Sequence, residues 1–218
     1  MLKHIRSLLQ PSFIEIYDNA LSKESCKFLI DTFDGCGAAT PGGTIQGVNV
    51  EYKKCLQLDG DLQSADIIGG IVRNSLCKYL DKYEKKYKSI QFCPSWKYHR
   101  RYNIQKYDGE EDGYKVWHCE HDPSPLPSLR ILAWMYYLND AESGTEFMHY
   151  PTIRGKMGRL VMWPAFWTHL HRGELPNKGL KYIMTGWVSY TDKDMFDPDD
   201  PRATTEINIE SPFKQHEK

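Results

Sequence analysis

Residues 130 to 138, Arg-Ile-Leu-Ala-Trp-Met-Tyr-Tyr-Leu, are apolar on both alternating faces, and no other run in the chain constrains the fold as much. A strand with apolar side chains on both faces is buried on both sides, so it needs a layer above it and another below. Asn139-Asp140 closes the run. Shorter strands are expected near residues 145–150, 159–163 and 167–171, with Gly155 and Gly158 as breaks, and residues 180 to 190 read as the last long strand. Residues 12 to 17 alternate well enough to be a strand, and residues 98 to 107 read as another. Two helices precede most of them. Ser22 is a good N-cap for a helix carrying Cys26, Leu29, Ile30 and Phe33 and stopping at Gly35. Between Ser64 and Tyr83, Ile68, Ile71, Val72, Leu76, Tyr79, Leu80 and Tyr83 make one apolar stripe. Many short strands preceded by covering helices predict a mainly β chain with helical cover, a double-stranded β-helix or jelly roll.

A length of 218 residues with 40% apolar content suits one domain, expected over residues 1–192. Residues 193–218 are acidic and Pro-containing, with Asp197-Pro-Asp-Asp-Pro201 at their start, and read as a tail. A net charge of -1 gives no overall electrostatic reason to bind nucleic acid or an anionic membrane, although His99-Arg100-Arg101 could form a local basic patch. The six cysteines contain no CxxC pair, so no zinc ribbon or thioredoxin-type motif is spelled out and reduced thiols are expected. The N-terminus lacks a signal-peptide core and no apolar run approaches transmembrane length. A cytoplasmic protein without a membrane partner is the expectation. The glycine-rich residues 35–48 and the segment 108–116 are expected to be loops.

Chemistry is concentrated in Trp117-His-Cys-Glu-His-Asp122. If residues 117 to 121 are extended, His118 and Glu120 point to the same side, and Cys119 points away. A third ligand from a distant strand would complete a 2-His-1-carboxylate triad, which holds one face of an iron and leaves the opposite face open. His169 and His171 would share one face of a strand, and both are available for that part. His121 and Asp122 are a poorer chelate, because adjacent residues of a strand face opposite ways. In the last strand Lys181, Ile183, Thr185, Trp187 and Ser189 share one face, so a single lysine stands on a mainly uncharged row. A buried lysine needs an anionic partner, and if no protein carboxylate supplies it, a bound dicarboxylate can.

The run His171, Gly179-Leu-Lys-Tyr182, Gly186-Trp187 resembles the C-terminal signature of iron(II)- and 2-oxoglutarate-dependent dioxygenases of the prolyl 4-hydroxylase type. In that family a basic residue follows the second histidine ligand at a short, nearly fixed distance, and here Lys181 lies ten residues after His171. Residues 130 to 140 resemble the family's strand ending in Tyr-Leu-Asn, and Gly144-Thr-Glu-Phe147 resembles its Gly-Gly-Glu-Thr-x-Phe turn. Asp18 to Cys26 resembles its opening helix, so the likeness spans roughly residues 12 to 190.

The resemblance implies that His118, Glu120 and His171 are the iron ligands and that Lys181 pairs with the distal carboxylate of 2-oxoglutarate. It implies that Tyr107 and Tyr137 line the cosubstrate pocket, that Trp187 lies near the metal, and that the segments 35–48 and 108–116 are candidate lids. The family's usual HxD is HxE here. Spacing to Lys181 favours His171 over His169, for which a hydrogen-bonded core histidine is expected, while Arg172 could orient a substrate or form a surface ion pair. Trp134 and Tyr136 are expected in the core. The implied activity is hydroxylation of a C–H bond, best guessed as a prolyl residue of a peptide or protein. Iron(II), 2-oxoglutarate and O2 are consumed or held as cofactors, ascorbate is a possible addition, and succinate and CO2 are released. Competing readings are a same-superfamily oxygenase acting on a small molecule, a nucleic-acid demethylase, a zinc hydrolase, and a jelly-roll binding module without catalysis. Relatives acting on nucleic acid use arginines where this last strand has Lys181, and a zinc hydrolase leaves Lys181 unexplained.

Overall fold

A computed structural model of the chain describes residues 11–44, 47–62, 67–93 and 95–190. The expected tail at 193–218, the first ten residues and the start of the second helix lie outside the described residues. Residues 130 to 138 do run through the middle of the molecule. Strand β7 (Arg130–Tyr137) lies between β10 (Leu160–Pro164) and β12 (Lys181–Tyr190) in an antiparallel seven-stranded sheet. The order continues outward from β10 to β1 (Glu15–Tyr17), and from β12 through β5 (Trp96–Tyr107) and β4 (Leu56–Asp61) to β2 (Thr40–Pro41). A smaller sheet places β11 (His171–Gly173) and β9 (Tyr150–Gly155) on either side of β8 (Ala141–Phe147). The short pair β3 (Lys53–Lys54) and β6 (Gly113–Tyr114) stands apart from both.

From Leu132 onward, the side chains of β7 and of Leu138 just after it alternate between two cores. Leu132, Trp134, Tyr136 and Leu138 pack with Leu29 and Phe33 of α1 (Lys23–Gly35) and Val72, Leu76 and Leu80 of α2 (Ile67–Lys86). Ala133, Met135 and Tyr137 face the other way, onto Phe147 and Ile153 of the smaller sheet. This is the double-stranded β-helix with helical cover that the alternation predicts. Each fully buried leucine or aromatic contributes about 2 kcal/mol of hydrophobic free energy, which is why a strand with no polar face can be tolerated only between two layers. Ser22 caps α1 as expected, accepting a hydrogen bond from the Ser25 backbone N–H at 3.1 Å. Tyr136 sends its hydroxyl to Ser75 Oγ at 3.0 Å, tying the sheet to α2.

Three local expectations need correction. Residues 167 to 171 do not form a strand: Trp167–His169 is a turn of 3-10 helix, and β11 starts at His171. Residues 117 to 121 are not a strand either, since only His118 pairs, through an isolated antiparallel bridge to His171. The region 145–150 is the end of β8, a two-residue turn at 148–149 and the start of β9. At residues 117–121 tertiary contacts outweigh local alternation, and at 167–169 a short-range hydrogen bond does. The Phe166 carbonyl accepts the His169 N–H at 2.9 Å and curls that segment. Among the described residues no helix is long and apolar enough to cross a membrane.

Candidate metal centre and its cavity

The bridge between residues 118 and 171 joins two distant parts of the chain. The His118 N–H donates to the His171 carbonyl at 3.1 Å, and the His171 N–H donates back at 2.9 Å. Glu120 is fixed just beyond it, because its N–H and that of His121 both donate to the Ala165 carbonyl at 3.0 Å. His118, Glu120 and His171 thereby offer ligand atoms that all lie within 4.8 Å of one another. Glu120 Oε1 is 3.3 Å from His171 Nε2 and 3.9 Å from His118 Nε2. Each imidazole directs Nδ1 at a backbone carbonyl, Val116 for His118 and His169 for His171, both at 3.0 Å. A proton on Nδ1 is therefore bound to a carbonyl, and the Nε2 lone pairs converge on one point, as ligand histidines require.

The surroundings hold these groups in the protonation states a cation needs. Burial pushes the His118 pKa down to about 3, with the neighbouring His171 acting in the same sense, so the ring is neutral at ordinary pH. Burial alone would raise the Glu120 carboxyl. The His171 and His118 rings beside it and the Arg130 guanidinium outweigh it, and the group stays ionised well below the usual carboxylate range. Tyr114 stacks on His118 with ring centroids 3.5 Å apart, and Trp163 meets His171 edge-on at 5.0 Å. The second carboxylate oxygen, Glu120 Oε2, accepts the Trp187 indole N–H at 2.8 Å and lies 3.5 Å from Arg130 NH1. Arg130 in turn covers the Trp187 ring at 3.7 Å and donates to the Glu120 carbonyl at 3.1 Å. An oxygen-nitrogen donor set of two imidazoles and one carboxylate suits iron(II).

The cluster opens into a cavity of about 760 Å³ lined by residues of β4, β5, β12 and both short sheets. Lys181 stands on its wall, 4% exposed, with its ammonium 4.9 Å from the centre of the Tyr107 ring. Among the described residues that ammonium makes no hydrogen bond and no ion pair. Burial lowers its pKa to about 8, partly countered by Glu174. A buried cation with an open cavity before it fits the distal carboxylate of a dicarboxylic acid.

The other expected residues are distributed around this arrangement. Tyr107 and Trp187 line the cavity. Tyr137 does not: it is fully buried behind Thr145, with its hydroxyl 2.7 Å from Thr145 Oγ1 and 3.2 Å from the Ile153 carbonyl. His169 faces away from the cluster, holding the Ser12 carbonyl at 2.7 Å and Thr168 Oγ1 at 2.8 Å. Arg172 pairs with Glu146 at 2.6 Å and covers Trp117. Cys119 bonds the His121 carbonyl through its thiol at 3.2 Å, and His121 leans on Phe166. Arg130, Tyr114 and Lys53 were not anticipated. A charged residue opening an otherwise apolar strand could have pointed to Arg130, whereas no local pattern marks the other two.

Residues 102–189 match the family model of the 2OG-Fe(II) oxygenase superfamily. The likeness to this superfamily lies in the stretch that holds His118, Glu120, His171 and Lys181. Iron(II), 2-oxoglutarate and O2 are the cofactors of this superfamily, and the His-Glu-His cluster fits the iron. No curated protein sequence matches the chain. Among solved structures, the oxygenase fold is shared with the viral collagen prolyl hydroxylase of Paramecium Bursaria Chlorella virus-1 in its 2OG complex, at 17% identity over 82% of this chain and 97% of that one, with a TM-score of 0.61. A prolyl hydroxylase from Trichoplax adhaerens, solved with a hypoxia inducible factor peptide fragment, matches at 15% identity over 84% and 86%, with a TM-score of 0.61. The carbocyclase SnoK from nogalamycin biosynthesis matches at 8% identity over 83% and 81%, with a TM-score of 0.62.

Proposed function

We propose that this oxygenase hydroxylates a C–H bond of a prolyl residue in a peptide or protein. In this reading His118, Glu120 and His171 hold iron(II), and Lys181 pairs with the distal carboxylate of 2-oxoglutarate over the Tyr107 ring. The observation that carries it is the unpartnered Lys181 ammonium, buried in the same cavity into which the three ligand atoms converge. The chemistry supplied when the cofactors are bound is insertion of one oxygen atom into a substrate C–H bond, coupled to release of succinate and CO2.

The chain's own residues act by placement. Val116 and His169 carbonyls hold the two imidazole tautomers, Trp187 and Arg130 hold the Glu120 oxygen that faces away from the histidines, and Tyr137 supports Thr145 on the cavity wall. Gly43 and Thr44, from the segment 35–48, and Tyr114, from the segment 108–116, reach the cavity, which supports lid roles for both segments. The six cysteines form no disulfide, which supports a reducing, cytoplasmic setting. Two prolyl hydroxylases among the structures of like fold favour a peptide substrate. A small-molecule substrate is the second reading, favoured by the like fold of a carbocyclase from nogalamycin biosynthesis.

Anaerobic protein with iron(II) and 2-oxoglutarate should develop a weak visible charge-transfer band, weakened by Lys181→Ala and lost in His171→Ala. Proline-containing peptides should then stimulate succinate release more than free amino acids do. A protein with no band, or with a band indifferent to both substitutions, would falsify the cofactor assignment. Stimulation by small molecules alone would transfer the assignment to the second reading.

A further inference from the structure

The cavity holds a second buried lysine that the cofactors do not use. Lys53, on β3, is 5% exposed and lines the cavity. Its ammonium donates to Gln57 Oε1 at 2.7 Å and to the Gly43 carbonyl at 3.2 Å, and it lies 5.7 Å from the centre of the Tyr114 ring. Tyr114 is the ring that stacks on His118, so Lys53 is separated from a candidate metal ligand by one aromatic side chain. An ammonium carries three N–H donors, and the two neutral acceptors use two of them. Among the described residues no carboxylate lies within ion-pairing distance of Lys53. Its charge is in the field of Glu120 and Asp59, and burial still lowers its pKa below the ordinary lysine value.

Lys53 ends a hydrogen-bonded row along the β4–β5 wall. Gln57 Nε2 and Asn103 Nδ2 both donate to Asp59 Oδ1, at 2.7 and 2.9 Å. Gln105 Nε2 donates to Asn103 Oδ1 at 3.3 Å, and the Tyr107 hydroxyl donates to Gln105 Oε1. The row therefore runs from the Lys181 side of the cavity, at Tyr107, to Lys53. Gln57 is polarised between an ammonium and a carboxylate, which fixes its amide and stiffens the Lys53 side chain. Asp59 reaches Lys53 only through that amide, so it orients the lysine without neutralising it at contact.

We propose that Lys53 is an anion site for the primary substrate and selects substrates that carry a carboxylate beside the C–H bond to be hydroxylated. One N–H remains for the ligand, which suits a singly charged carboxylate. The carboxylate can belong to an acidic side chain next to the prolyl residue or to the α-carboxylate of a C-terminal or free proline. The assignment rests on the proposed function, which gives the cavity a primary substrate and reserves Lys181 for 2-oxoglutarate.

The test uses the full chain with iron(II) and 2-oxoglutarate under anaerobic conditions, with binding read by calorimetry and the charge-transfer band read in the same samples. Four probes form two pairs: a capped Gly-Glu-Pro-Gly peptide with its Gln counterpart, and N-acetylproline as free acid and as amide. At least one acid should bind about tenfold or more tightly than its neutral partner, and the pair that discriminates identifies the source of the carboxylate. Lys53→Met should bring that ratio to within about twofold with the band unchanged, and Lys53→Arg should retain most of it. If neither acid binds more tightly than its partner in the unaltered protein, the proposal is overturned without reference to any variant. Discrimination that survives Lys53→Met overturns it too, and loss of the band in Lys53→Met assigns the ammonium to 2-oxoglutarate instead. A band missing from the unaltered protein before any probe is added removes the parent reading, and this one with it.

Discussion

The indole of Trp187 donates to Glu120 Oε2 at 2.8 Å while Glu120 Oε1 faces the two histidines. The carboxylate is thus held from behind by a residue 67 positions away, and Arg130 clamps the same pair by covering the indole at 3.7 Å. The backbone of Glu120 is anchored as well, through its N–H to Ala165 and its carbonyl from Arg130. Anchored at both ends, the longer side chain of an HxE motif can meet the histidines where an aspartate would fall short.

Trp187→Phe removes one hydrogen bond to a charged oxygen, which is worth about 1.5–3 kcal/mol. Iron(II) affinity is expected to fall roughly tenfold to a hundredfold, as for other partners of metal ligands. Titration of the metal into apo protein, followed by calorimetry, measures this without turnover; unchanged affinity would mean that Trp187 only packs.

Glu120→Asp withdraws the carboxylate by one carbon–carbon bond, about 1.5 Å. With the backbone anchored, the oxygen cannot follow, and iron(II) affinity should drop although the family's common ligand has been restored. Equal or tighter binding would show that the loop around residue 120 relaxes.

Binding of 2-oxoglutarate should weaken at high pH. Free Lys181 titrates near 8, and pairing with a carboxylate raises that value, so binding takes up a proton when the pH is above about 8. Affinity is expected to be flat below pH 7 and to fall toward tenfold per pH unit above 8. Calorimetry in buffers of different ionisation enthalpy counts the proton, and Lys181→Met should abolish both the proton uptake and the slope.

Gly144→Ala should destabilise the fold. A Cβ at Gly144 would stand 2.1 Å from the Ile153 carbonyl oxygen, which is backbone of the paired strand β9 and cannot swing aside. The expected loss is about 2 kcal/mol or more, read from denaturant midpoints. Gly35→Ala, with nothing within 4 Å of the added carbon, is the control.

Local sequence was sufficient where one face of one element decides the outcome. The two apolar faces of residues 130 to 138 required a layer on each side, Ser22 and the apolar stripe after it required a capped covering helix, and the distance from His171 to Lys181 marked two residues that line one cavity. Alternation failed at residues 117–121 because that segment takes its shape from carbonyls elsewhere in the chain, at Ala165 and His171, and at 167–171 because the Phe166 carbonyl closes a local turn on the His169 N–H. Only the tertiary structure could decide that His118 pairs with His171 across a single bridge, that Arg130 and Trp187 share Glu120, and that Lys53 enters the same cavity as Lys181. Periodicity reports which side of an element is buried and carries no information on which distant element buries it. That choice is made by the pairing of strands, and the pairing brings residues 53, 120 and 181 into one cavity.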